Sequence, residues 1–252
     1  EIYTLSLHDA LPIYQPVNTI ADRLAELAKV PTRTYDFTLP ANRQSFPVLT
    51  ASDLVVFGCP TYAGRIPNLM LKYLDTIQGC GAWAVPVVTF GNRHFDNSLI
   101  ELRNLLEQHD FKTFAAGAFS CEHSFSYQLG AGRPDAEDLQ FAENFARQVF
   151  EKLSETNALP VPRTPIAVDG DAQAGYYQPR DRNGNPIDIR KAKPLTRDTC
   201  IRCGHCAEVC PMGSISKEDV KTVAGICIKC GACIKRSEEH TSELSHTNRS
   251  RM

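Results

Sequence analysis

Seven of the ten cysteines in this 252-residue chain lie between Cys200 and Cys233, and their spacing constrains the fold more than any other feature. Cys200-Ile-Arg-Cys203-Gly-His-Cys206-Ala-Glu-Val-Cys210-Pro211 is the C-x2-C-x2-C-x3-C-P run that holds a [4Fe-4S] cluster. The first three cysteines wrap a tight loop around one face of a cube, and the fourth points the other way. Cys227-Ile-Lys-Cys230-Gly-Ala-Cys233 begins the same pattern, and its fourth cysteine is due at position 237, which is Ser237. In two-cluster chains the fourth cysteine of each run ligates the other cluster. One complete site is therefore expected on Cys227, Cys230, Cys233 and Cys210, and a three-ligand site on Cys200, Cys203 and Cys206. Structural zinc also uses C-x2-C pairs, but it has no role for the third cysteine at the next x2 spacing in both runs. His205 reads as a surface polar residue rather than a ligand. Gly204 and Gly231, each after the second cysteine of its run, leave room for backbone N–H groups near cluster sulfur.

The other three cysteines, Cys59, Cys80 and Cys121, are scattered through the first half and read as inert buried thiols. A secreted disulfide scaffold would be short and cysteine-dense throughout. Clustered thiols instead point to a reducing compartment, the cytoplasm. Charge is nearly balanced, with 27 Lys+Arg against 29 Asp+Glu, which gives no electrostatic footprint for nucleic acid or an anionic membrane surface. No apolar run is long enough for a membrane span, and no secretory signal pattern opens the chain.

Both ends read as foreign. Leu5 to Ile13 and Arg236 to Leu244 back-translate to strings that resemble the two common short-read sequencing adapters. Residues 1–13 and 236–252 are therefore set apart from the fold, and the natural parent is expected to extend past both ends. Between them, residues 17–29 place Ile20, Leu24 and Leu27 on one helical face, and 32–37 reads as a short strand. Leu54 to Phe57 is a continuous apolar run closing at Gly58, as a strand buried on both faces should be. A helix over 67–77, a strand over 83–90, a helix over 98–108 with Leu99, Leu102 and Leu106 inward, a strand over 113–119 and a helix over 135–153 follow. Alternating strands and helices predict a doubly wound α/β parallel sheet. The order 2-1-3-4-5 is expected, with its central position missing or filled from residues 1–13, where Ile2 to Leu7 are β-prone. Residues 14–154 thus form one domain. Residues 155–199 form a Pro-rich linker with a turn signal at Asn183-Gly184-Asn185-Pro186 and apolar anchors in Tyr176, Tyr177, Ile187 and Ile189. Residues 200–235 form a small α+β two-cluster domain.

The chain from Tyr14 to Lys235 resembles bacterial electron-transfer proteins in which a flavodoxin-like domain is fused to a C-terminal two-[4Fe-4S] ferredoxin. The cysteine runs and Tyr177-Gln-Pro-Arg-Asp-Arg-Asn-Gly-Asn-Pro186 carry the resemblance most specifically. Gly58-Cys-Pro-Thr-Tyr-Ala-Gly-Arg-Ile-Pro67, Phe90-Gly-Asn-Arg-His-Phe95 and Ala131-Gly-Arg-Pro-Asp135 are similar to the family's loops. The resemblance implies FMN. Ligands of open α/β sheets bind outside the carboxyl ends of the strands, where the first two of these loops lie. Tyr62 is the candidate to stack on the isoalloxazine ring, with Thr61, Ala63, Gly64, Gly91, Asn92, Phe95 and His123 around it. Arg65 and Arg93 read as solvated loop charges. The phosphate loop of such a domain is due just before Tyr14, and adapter-like residues stand there. The chain is therefore expected to bind FMN more weakly than its parent.

The function expected from these residues is low-potential electron transfer between partner proteins. No Ser/His/Asp or paired-carboxylate set stands out. The alternatives are a flavin-free ferredoxin whose first domain only docks partners, and a flavin-dependent reductase of a small molecule. An iron–sulfur sensor has no DNA-binding pattern to support it.

Overall fold

The computed structural model describes residues 1–7, 14–124, 126–156, 164–188, 193–237 and the backbone of 242–244. Strands β1 (Ile2–Ser6), β2 (Thr32–Asp36), β3 (Leu54–Pro60) and β4 (Trp83–Gly91) form a parallel sheet in the order β2-β1-β3-β4. Two further strands, β5 (Lys112–Thr113) and β6 (Gly117–Cys121), both run parallel to β4 and together fill the fifth position. This is the 2-1-3-4-5 order of the flavodoxin-like doubly wound fold. Ile2–Ser6 occupies the centre, paired on both sides and buried along its whole length.

Helices cover both faces, which is why the strands read as unbroken apolar runs. Successive residues of β3 point to opposite sides. Val55 and Phe57 join Leu99, Leu102 and Leu106 of α3 (Ser98–Gln108). Leu54 and Val56 join Val17, Ile20 and Leu24 of α1 (Tyr14–Ala28) and Ala142, Ala146 and Val149 of α4 (Ala136–Thr156). Leu27 lies at the edge of its face, only partly covered.

Two elements depart from expectation. The helix expected over 67–77 shrinks to a 3-10 turn, Asn68–Met70, and one α turn, α2 (Leu71–Leu74). Thr76 turns its hydroxyl back to Tyr73 O at 2.7 Å, a local bond that competes with helix continuation. The strand expected over 113–119 breaks in two. Phe114 N–H still reaches Ala84 O of β4 at 3.3 Å, but its ring packs edge-on against Trp83, with centroids 5.3 Å apart, and its carbonyl is taken by Lys152 Nζ of α4 at 2.5 Å. Cys59 and Cys121 are buried as expected, but Cys80 is exposed. It sits at φ 50° in a turn held by Gly79 N–H to His109 O at 2.7 Å and Gly81 N–H to Asp110 O at 2.8 Å, which directs its side chain outward.

Gly58 marks a close approach of helix to sheet: a Cβ there would lie 2.6 Å from Val17 Cγ2 and 3.2 Å from Ser6 Cβ. Gly58→Ala is expected to push α1 off the sheet at about 1–3 kcal/mol. A chemical-denaturation curve with an unchanged midpoint would refute that.

Candidate cluster and flavin sites

The two cysteine runs fold alike. Arg202 and Gly204 flank Cys203 with φ of 58° and 82°, and Lys229 and Gly231 flank Cys230 with φ of 64° and 76°. These left-handed residues curl each loop, and a short helix follows each: α5 (His205–Glu208) and α6 (Ala232–Lys235). Arg202 is a non-glycine residue in the left-handed region, and its N–H donates to Cys200 Sγ at 3.4 Å. Ser214 N–H donates to Cys210 Sγ at 3.3 Å. Amides aimed at cysteine sulfur are among the groups that tune an iron–sulfur centre. A small hairpin joins the runs, with Ile215 bridged to Val223. Ala207, Ile215 and Val220 make its core, and Cys200, Cys206, Cys210 and Cys233 pack on it. Strand β7 (Pro194–Thr196) pairs antiparallel with β8 (Ser242–Leu244) beside it.

Burial pushes the Cys206 thiol up, with Cys200 and Cys203 adding to the effect. Burial likewise pushes Cys233 up to about 12, and the sulfurs acting on it are Cys227, Cys210 and Cys206. Among the described residues no three His, Cys, Asp or Glu side chains form a single-ion site. A zinc ion needs its thiolates within about 2.3 Å of one point, whereas a cube takes one thiolate per corner. His205 faces Glu208, with Nδ1 3.7 Å from its carboxylate.

The candidate flavin residues meet at the carboxyl edge of the sheet, though not all face outward. Thr61 is turned inward, its N–H on Thr89 O at 2.8 Å and its hydroxyl 2.7 Å from that of Ser98. Ala63 and Asn92 are exposed, at φ 50° and 70°. Gly64 is wedged against Asp96, where a Cβ would come within 2.9 Å of Oδ2. Gly91 packs on His123, 2.7 Å from where its own Cβ would lie. Phe95 stacks under His94 at 4.5 Å. Burial holds His123 below the usual histidine value, and Lys235 adds to this. Tyr62 lines a cleft of about 600 Å³. Exposed backbone at Ala63 and Asn92, at the ends of β3 and β4, offers polar groups of the kind a planar ring with polar edges takes. Positions 8–13, where the phosphate loop is due, lie outside the described residues.

Arg65 is not a solvated charge. It lies over the Tyr176 ring at 4.4 Å and donates through Nε and Nη2 to Glu101 at 2.9 and 2.8 Å. Glu101 also accepts from Ile66 N–H at 2.9 Å and from Tyr176 OH. Arg65 Nη1 donates to Ala174 O as well. This network, with Asp171 N–H on Asn97 Oδ1 at 2.7 Å, pins the linker across the loop that carries Tyr62. Beyond it, Arg180 and Pro186 bridge a hairpin whose turn places Gly184 at φ 82°. Arg93, by contrast, is exposed and pairs with Asp96. Tyr176 anchors the linker as its sequence suggests, with the added hydroxyl bond to Glu101, whereas the partner roles of Glu101 and Lys235 carry no sequence signal.

The second cysteine run lies against this edge. The cleft beside Tyr62 is also lined by Tyr177 and Pro179 of the linker and by Cys227 and Lys229 of the second run. At the other end of the run, Lys235 donates to the Glu122 carboxylate and to Ser126 O at 3.1 Å, with its Nζ 5.0 Å from the Tyr127 ring centre. The Lys235 hydrogen bond holds the Glu122 carboxyl below the usual glutamate range. The contact is therefore fully present above the ordinary value of 4.5 and is lost as pH falls through the lower folded value.

Residues 193–236 match the family model described as "4Fe-4S dicluster domain", a span that contains all seven clustered cysteines. No curated protein sequence matches the chain. Among solved structures, the chain is similar to a Streptococcus pneumonia TIGR4 flavodoxin, at 15% identity over 60% of this chain and 98% of that one, TM-score 0.42. It is also similar to a flavodoxin from the domain Archaea, at 12% identity over 61% and 98%, TM-score 0.42. An NADH:FMN oxidoreductase in its apo form shares 14% identity over 60% and 88%, TM-score 0.44. Among the described residues no helix is long and apolar enough to cross a membrane.

Proposed function

We propose that this chain carries low-potential electrons in the cytoplasm. It would accept them from a reduced donor protein and deliver them to an oxidised acceptor protein, with FMN at the sheet edge and a [4Fe-4S] cluster in the second cysteine run as its two stations. The cluster is held by Cys227, Cys230, Cys233 and Cys210, and the ring by the loops at Tyr62–Gly64 and Gly91–Phe95 with His123. When bound, the flavin supplies a junction between one- and two-electron steps and the cluster supplies single-electron steps. The protein's own part is placement. Tyr62 lines the same cleft as Cys227 and Lys229. Lys235 clamps the run to Glu122, beside His123. The single observation that carries the proposal is this seating of the second run on the edge where an open α/β sheet binds its ligand.

Glu122→Lys sets two like charges opposite each other at the clamp, a loss of several kcal/mol. In anaerobically reconstituted protein supplied with FMN, electron exchange between flavin and cluster is expected to slow by about tenfold or more, since each 1.4 kcal/mol of docking is a factor of ten. Iron content should not change. Combining it with Lys235→Glu restores the pair and should restore the rate. An unchanged rate in the single variant, measured by flash photoreduction, would count against the relay.

A further inference from the structure

Arg43 brings a positive charge from the sheet domain to the chain segment of a cluster ligand. It ends the 3-10 turn Pro40–Arg43 that follows β2. Its Nε donates to Phe37 O at 2.8 Å and its Nη2 to Thr38 O, and the same Nη2 crosses the domain boundary to Pro211 O at 2.6 Å. Pro211 is the residue after Cys210, and Pro40 packs 3.4 Å from the Cβ position of Gly213. The turn and the end of the first cysteine run therefore form one packed contact. All three acceptors of Arg43 are neutral carbonyls. They satisfy its donors but leave its charge uncancelled. The ionisable groups that act on it are Tyr73, Asp36 and Cys210. Tyr73 is a phenol that burial pushes further from ionising. Asp36 is exposed, with its carboxylate turned to Thr38 N–H at 2.8 Å. Burial lowers the guanidinium's own value, yet an arginine stays charged at neutral pH. The side chain is half-buried, so its field reaches further than it would in water.

We infer that Arg43 makes the cluster ligated by Cys210 easier to reduce, so that the sheet domain sets the potential of an iron–sulfur centre in the other domain. The inference rests on the reading of Cys210 as a ligand. Reduction adds one electron, taken from dithionite in the assay or from the donor protein in use. No bond forms or breaks, and the added negative charge is stabilised by a fixed cation that needs no reorganisation. Arg43 acts through Cys210 and Pro211 as a positioning residue and does not touch the cluster.

The test is an anaerobic redox titration of the full reconstituted chain, followed by EPR with iron counted in parallel. Arg43→Gln removes the charge and is expected to move the midpoint to more negative potential at unchanged iron content. Arg43→Lys keeps the charge with fewer donors and should titrate close to the parent. Asp36→Asn removes the opposing carboxylate and should move the midpoint the other way. An Arg43→Gln protein that titrates like the parent overturns the inference. So does an Arg43→Lys protein displaced as far as Arg43→Gln, because hydrogen bonding rather than charge would then be responsible. If Arg43→Gln fails to hold iron, Asp36→Asn decides alone, and an unmoved or more negative midpoint overturns the inference. Retention of the cluster in Cys210→Ser would instead sink the ligand assignment, whatever the Arg43 variants do.

Discussion

Cys210→Ser is expected to abolish the stable four-iron cluster of the second cysteine run, although Cys210 belongs to the first run. The proposed crossed ligation assigns that cluster Cys227, Cys230, Cys233 and Cys210, and Cys210 is among the sulfurs that act on Cys233. A serine hydroxyl is far less acidic than a thiol and a harder donor than iron–sulfur chemistry prefers. The remaining thiols Cys200, Cys203 and Cys206 hold at most a labile or three-iron centre, since position 237 is already Ser237. Ser237→Cys with Glu238→Pro is the converse experiment and should add a second four-iron site. Iron analysis with EPR on the three proteins reads both effects. Loss of iron from the first run with the second spared would show that each run fills its own cluster.

Glu101→Ala should be the most destabilising change in the sheet domain. The Arg65 and Glu101 side chains are only 12% and 11% exposed, so this is a buried pair. Removing the acceptor strands a guanidinium under the Tyr176 ring, a loss of about 3–5 kcal/mol. In a domain of this size that lowers Tm by about 10 °C or more. The linker, which loses both Tyr176 OH and Arg65 as anchors, should become the first site of limited proteolysis. Replacing both partners with apolar residues, Arg65→Met with Glu101→Leu, should recover part of the loss because no buried charge is then left over. A single-variant Tm within 2 °C of the parent, on about the scale of an exposed ion pair, would mean that solvent reaches the network.

Much of this architecture was legible in the sequence where one local cause dominates. The runs at 54–57 and 83–90 read as strands because helices cover both their faces, and the helical faces of Ile20, Leu24, Leu99, Leu102 and Leu106 read by period. The β-prone residues from Ile2 fill the central strand, one of the two outcomes their sequence allows, although Leu5 onward back-translates to an adapter-like string. The break between β5 and β6 was not legible, because it depends on Trp83 and Lys152 meeting Phe114 from distant parts of the chain. The cluster cysteines announced themselves through spacing alone. The docking contacts did not: Arg43 and Pro211 are 168 residues apart, and Lys235 and Glu122 are 113 apart. A lone arginine or lysine carries no pattern that names its partner. Arg65 misled for the same reason, since only Glu101 and Tyr176 together make it a buried residue.

The strapping of the linker by Arg65, Glu101 and Tyr176 also has a kinetic meaning. A Gly/Ser-rich tether lets its ends roam and sets only an average encounter frequency. Here the tether is itself bonded to the first domain up to Tyr176, and the second domain is clamped again at Lys235, so the two proposed stations share one frame. Exchange between them is then a first-order event whose rate does not change on dilution, whereas hand-off to a separate carrier scales with that carrier's concentration. For the proposed relay, dilution therefore slows the meeting of molecules and leaves the interior step as it was.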